Sequence, residues 1–248
     1  DKFIIHVSAD NRYKLYINGE YVCNGPARSY LLKWNFESID ISPYVHSGRN
    51  IISSILWNFA EYRPLAQISG QTGFIIQGNT KDENILNSDT SWVVMKDTAY
   101  KPIPVIMNQF YVAGAGEEFD CEIHPWNWMD KDFNTSGWKH AQEVETGKPV
   151  GCMGEYGNTA LHLLSQREIP LMEEKVQRFS RIRRSNANII TEEFLKGINP
   201  VIISPNSKIK ILIDQNVLTT AYPVIDFSNG RNSLIKITYA ESLFDSVG

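Results

Sequence analysis

No apolar run in the 248 residues approaches the roughly 20 that a membrane-spanning helix requires. Long amphipathic repeats are also missing, which argues against a domain of paired helices within this chain. Charge of one sign is scarce too. Twenty-four basic and 28 acidic side chains give a net charge of −4. No block of like charge is long enough to follow a phosphate backbone, so nucleic acid is excluded as a partner. Cysteine is limited to Cys23, Cys121 and Cys152. An odd, widely spaced set makes no closed disulfide framework; a cysteine-tolerant setting such as the cytoplasm is allowed, and a single bridge is left open. Cys121 and His124 have C-x-x-H spacing, but no second pair follows to complete a zinc site, so no metal is assigned. The chain has no G-x-S-x-G, P-loop, Rossmann glycine fingerprint or H-E-x-x-H. Its first residues, "DKFIIHVSAD", have neither a Met start nor the form of a signal peptide, and the chain reads as a piece of a longer protein.

What is present is period-two patterning and turn signals. In "ADNRYKLYINGEYVCNGPARSY", Asn18-Gly19 lies between runs rich in Tyr, Leu, Ile and Val. Asn-Gly tolerates the two positive φ angles of a type I′ hairpin. Such a turn pairs Ile17 with Glu20, Tyr16 with Tyr21 and Leu15 with Val22. Tyr13, Leu15, Ile17 and Val22 then share a core face, while Lys14, Tyr16, Tyr21 and Cys23 share the other. Gly25-Pro26 removes a ladder donor and ends the second strand, leaving Arg28 at a corner. Further on, Ser42-Pro43 opens a one-turn corner that Gly48 ends, and "GQTGFIIQGN" and "TSWVVMKD" supply short strands.

The expected class is therefore all-β: an antiparallel jelly roll, or galactose-binding-like sandwich, followed by the beginning of a second β-sandwich. The domains are read as 1–148 for the first sandwich, 149–168 for a linker and 169–248 for an incomplete second one. In the second part, "KIKILID" puts Ile209, Ile211 and Ile213 on one face, and "SLIKITYAESL" alternates again. The basic stretch Arg178 to Arg184 reads as an exposed strand or linker. Short helices are considered at Thr191 to Gly197 and around Leu161 to Gln166.

Candidate chemistry is sparse. Glu118, Asp120 and Glu122 would share one face of a strand, yet a glycosidase pair needs carboxylates flanking a bond, and sequence proximity does not provide that geometry. Trp34, Trp57, Trp126 and Trp128 can offer flat faces to sugar C–H groups. Asp10, Asn11 and Arg28, at the base of the hairpin, are the polar partners considered with Trp34. Core packing is the competing role for Trp57, a turn or cap for Asp10-Asn11, and a domain interface for Trp126 and Trp128.

"SADNRYKLYINGEYVCNGPARS", "IDISPYVHSGRNIISSILWN", "FDCEIHPWNWMDKDFNTSGWKHA", "ILIDQNVLTTAYPVIDF" and "IKITYAESLFD", taken in order, resemble the N-terminal β portion of bacterial α-L-rhamnosidases. The first part also resembles the jelly-roll domain of β-galactosidase and β-glucuronidase type enzymes. Ala221 before Tyr222-Pro223 departs from the glycine associated with that position. The rhamnosidase resemblance implies an accessory jelly roll and supporting sandwich ahead of a catalytic α/α barrel, the partner in the same parent chain. That barrel carries the acids of an inverting hydrolysis of terminal α-L-rhamnosyl bonds. It implies no catalytic residue here. A rhamnose-containing glycan is the implied ligand, with Asp10, Asn11, Arg28 and Trp34 as carbohydrate-binding residues. No cofactor is assigned; calcium is the one cation the resemblance brings in, at Asp10-Asn11, without a clear ligand set. The rival readings are a stand-alone carbohydrate-binding module and the front of a β-galactosidase or β-glucuronidase type hydrolase.

Overall fold

The computed structural model describes residues 2–103, 114–152 and 162–243. The chain divides into two units, 1–170 and 171–248. The first contains β1 (Ile4–Asp10), β2 (Arg12–Ile17), β3 (Glu20–Gly25), β4 (Trp34–Asp40), β5 (Ile52–Trp57), β6 (Gly73–Gly78), β7 (Val93–Val94), β8 (Tyr100–Ile103), β9 (Gly116–Phe119), β10 (Lys139–His140), β11 (Lys148–Pro149) and β12 (Leu163–Gln166). The second contains β13 (Arg181–Ser185), α1 (Glu192–Leu195) and β14 (Ile211–Asp214).

Two sheets make the sandwich of the first unit, ordered β11-β12-β4-β1-β6 and β3-β2-β5. Strand alternation explains why they bury a common core. Ile5, Val7 and Ala9 point inward from β1, with Ile39 from β4 and Ile76 from β6; Tyr13, Leu15, Ile17 and Cys23 face them from β2 and β3. The expectation of an all-β sandwich holds. Leu163–Gln166, in a span read as linker or short helix, is a strand running parallel to β4 in the larger sheet.

The Asn18-Gly19 turn forms as expected, with φ of 52° and 80°. Asn18 also fastens the hairpin tip: its backbone N–H donates to Ile51 O at 2.8 Å, its Nδ2 donates to Tyr44 O at 2.9 Å, and its Oδ1 accepts from Ile51 N at 3.0 Å. The far half of the hairpin departs from the simple register. Ile17 pairs with Glu20 and Tyr16 with Tyr21, but Leu15 pairs with Cys23 rather than Val22. A β-bulge inserts one extra residue, and a one-residue slip exchanges faces, so Cys23 enters the core. All three cysteines are free thiols.

In the second unit β13 and β14 form a two-stranded antiparallel ribbon. Arg181 and Arg183 both reach Asp214 Oδ2, at 2.9 and 2.6 Å, so the basic stretch is an exposed strand with its own acidic partner. The Asn216 backbone N–H, followed by these two arginines, draws the Asp214 carboxyl down to about 2. Thr191 caps α1 by accepting from Phe194 N at 3.4 Å, and Gly197, at φ 71°, follows its end. Among the described residues, 231–243 form no strand despite their alternation. Apolar side chains stay in water, Leu234 being 92% exposed, and Leu195 is the only buried hydrophobic residue described in this unit.

Candidate functional site at the sheet crossover

The chain passes from one sheet to the other between β1 and β2, at Asp10-Asn11, and Asn11, Arg28 and Trp34 gather at that point. Trp126 instead packs against His124 and Phe119, and Trp128 against Tyr16. Asp10 is buried by its position at the end of a central strand. Its Oδ1 accepts from Ser69 Oγ at 2.7 Å and Asn58 Nδ2 at 3.2 Å; its Oδ2 accepts from Gly70 N at 2.6 Å and lies 2.9 Å from His162 Nε2. The opposite ring nitrogen of His162 lies 3.0 Å from Glu145 Oε1. Burial alone would raise the Asp10 pKa, but the bonds from His162, Ser69 and Gly70 and the charge of His162 together lower it. His162 shows the mirror case. Burial would lower its pKa, and the bonds and charges of Asp10 and Glu145 together raise it.

Asn11 donates through Nδ2 to Ile68 O at 3.0 Å, and buried Trp34 donates through Nε1 to Ala9 O at 3.2 Å. The Trp34 ring meets His162 edge-on at 4.7 Å. Arg28 alone of the four predicted residues is exposed. Asn11, Arg28 and Trp34 do line one cavity, together with Gln67 and Ile68, but its volume is about 20 Å³. That is room for about one water, whereas pockets that enclose small ligands hold hundreds of cubic ångströms. Both oxygens of Asp10, the residue to which the resemblance brought calcium, face hydrogen-bonding partners within the fold. Among the described residues no three His, Cys, Asp or Glu side chains are grouped to hold a metal ion.

A second buried carboxylate stands behind the Gly25-Pro26-Ala27-Arg28 corner. Glu37, on β4, accepts from Tyr13 Oη at 3.0 Å, Ala27 N at 2.9 Å and Arg167 Nη1 at 3.2 Å. Arg167 also donates to Ile169 O at 2.9 Å and Pro170 O at 2.6 Å, so one buried ion pair ties the hairpin corner to the chain that follows β12. Burial, the largest influence, pushes the Glu37 carboxyl up, while its three donors pull the other way. Burial likewise pushes the Tyr13 phenol far up, keeping it a donor. Gly25 is required by this close approach, since a β-carbon there would lie 2.9 Å from the Tyr13 ring and still nearer the Glu37 carboxylate. Gly25→Ala is therefore expected to cost about 1–3 kcal/mol in urea unfolding; an unchanged midpoint would show that the corner can relax.

The acidic run does not lie along one strand. β9 ends at Phe119, and Asp120 Oδ1 accepts from Glu122 N at 3.0 Å, so Glu118, Asp120 and Glu122 do not share a strand face. His124 is held by Asp97 Oδ2 at 2.7 Å, and Cys121 accepts the Trp126 indole N–H on its carbonyl oxygen. Local spacing gave no sign of His162, Glu145, Glu37 or Arg167, because their partners are distant in the chain.

A β-sandwich with its buried carboxylates bonded internally is the class that the fold and site define. The chain belongs to the α-L-rhamnosidase N-terminal domain family, whose model matches residues 2–153. Among solved structures, a GH78 family rhamnosidase of Bacillus sp. GL1 is similar in fold, with a TM-score of 0.63 and 22% identity over 74% of this chain. The chain spans 18% of that rhamnosidase's length. No curated protein matches it.

Proposed function

We propose that this chain is the non-catalytic N-terminal β region of an α-L-rhamnosidase, whose parent polypeptide hydrolyses terminal α-L-rhamnosyl bonds with inversion in a separate α/α barrel. The observation that carries the reading is the family match over 2–153, together with the internal use of Asp10 and Glu37. Inverting hydrolysis needs an acid and a base on opposite sides of a sugar, about 6.5–9.5 Å apart, with space between them. The carboxylates buried in the first unit face donors from their own fold instead. Residues 171–243 leave a broad apolar surface in water, and a two-stranded ribbon has little stability alone. The rest of the parent polypeptide covers that surface. Asp10, Asn11 and Trp34 build the sandwich crossover in this reading, and Arg28 is the one of the four free to meet a glycan. The family match does not favour a stand-alone module or a β-galactosidase type parent.

The purified 248-residue chain is expected to release no p-nitrophenol from p-nitrophenyl α-L-rhamnoside. Turnover above the buffer blank that follows the chain through purification would contradict the non-catalytic role.

A further inference from the structure

Trp126 is exposed yet held in place. Its indole N–H donates inward to Cys121 O at 2.7 Å, while 52% of the residue remains exposed. His124 meets its ring edge-on at 4.7 Å, Phe119 does so at 6.0 Å, and His124 is itself fixed by Asp97. The ring is thus pinned by its edge, and little freedom remains to be lost when something covers its face.

The β8–β9 ribbon places more of the same chemistry beside it. Tyr100 pairs with Phe119 across the two strands, their rings 4.5 Å apart, and Tyr100 is 43% exposed. Glu117 lies two residues before Phe119 and so shares its face of the ribbon. Its proximity is felt by Tyr100, whose hydroxyl is pushed up by burial first and then by the charges of Asp97 and Glu117. Asp97 is occupied by His124 and by Ala99 N, at 2.9 Å, which leaves the exposed Glu117 as the acceptor.

We infer that Trp126, Tyr100 and Glu117 form a contact site for a neutral sugar ring, a hexose or 6-deoxyhexose. The C–H face lies on the aromatic rings and a hydroxyl donates to Glu117. Aromatic faces beside a carboxylate match a ring that is apolar on one side and rich in donors at its rim. The same negative charge repels a uronate, and it gives a polyanion nothing to pair with. The inference rests on the glycosidase reading for its choice of sugars.

The test is a titration of the 248-residue chain with L-rhamnose, D-galactose and D-galacturonate, followed by the indole N–H resonances. Trp126→Phe identifies the resonance and keeps an aromatic face. A neutral sugar is expected to shift the Trp126 signal with a Kd of about 1–10 mM, galacturonate to shift it far less, and Trp126→Ala, read through the backbone amide resonances of the β8–β9 ribbon, to weaken binding about tenfold or more. Peak dispersion in Trp126→Phe shows whether the fold survives. No shift with either neutral sugar, equal response to galacturonate, or undiminished binding in a folded Trp126→Ala variant would overturn the site. A sugar-free Trp126 signal that moves with protein concentration as dimers form would replace it with a protein contact. None of these outcomes bears on whether the parent cleaves rhamnosides, which its own turnover reads.

Discussion

Replacing Glu37 with Ala is expected to lower the unfolding free energy of the first unit by about 3–5 kcal/mol, the range seen when one partner of a buried ion pair is removed. Three donors lose their acceptor together: the Tyr13 hydroxyl, the Ala27 N–H and the Arg167 guanidinium. Tyr13→Phe removes only the hydroxyl and is expected to cost about 1 kcal/mol. The two effects separate in a double-mutant cycle. With Glu37 already gone, Arg167→Ala should cost less than it does alone, because the uncompensated cation has been removed. Additive costs, or a loss below about 1 kcal/mol for Glu37→Ala, would mean that water reaches the corner and solvates these groups.

The second large effect is expected at Asp10 and carries a pH signature. Asp10→Asn leaves the donors Ser69 and Gly70 facing an amide in place of a carboxylate, at a cost of about 2–4 kcal/mol near neutral pH. The wild-type dependence on pH follows from the two pKa shifts. Asp10 titrates lower in the folded chain, so its contribution is present above the ordinary value of 3.8 and is lost as pH falls through the depressed value. His162 titrates higher in the folded chain. Its contribution is fully present below 6.5 and is lost as pH rises through the raised value. The cluster therefore stabilises most between those two ordinary values, and thermal midpoints should decline on both sides. His162→Gln should abolish the alkaline decline and also shrink the acid one, because the bond and charge of His162 are among the influences that hold the Asp10 carboxyl low. An alkaline slope unchanged in that variant would place its origin elsewhere.

Distance along the chain decided what the sequence could reveal. The Asn18-Gly19 turn is legible because four consecutive residues determine it, and the inward set Tyr13, Leu15 and Ile17 follows from period two alone. The bulge opposite Leu15 is not legible, since a single inserted residue leaves the composition of β3 unchanged. Asp10 was visible as a polar residue beside a strand, but its role depends on Ser69, 59 residues away, and His162, 152 away. Glu37 reads as one polar position in an alternating strand until Tyr13 and Arg167 are brought to it. The alternation of 234–240 shows the reverse. Period two records a capacity to pair, and among the described residues that stretch has no neighbouring strand to pair with.

These carboxylates are central to the account because burial in a chain of this family invites a catalytic role that their partners argue against. The most direct measurement is kcat of the proposed parent rhamnosidase carrying Asp10→Asn, assayed on p-nitrophenyl α-L-rhamnoside at a temperature where the variant remains folded. The account predicts a lowered thermal midpoint with kcat per folded molecule within about twofold of wild type. A loss of about a hundredfold or more in a fully folded variant would contradict it, since that is the scale of a lost acid or base.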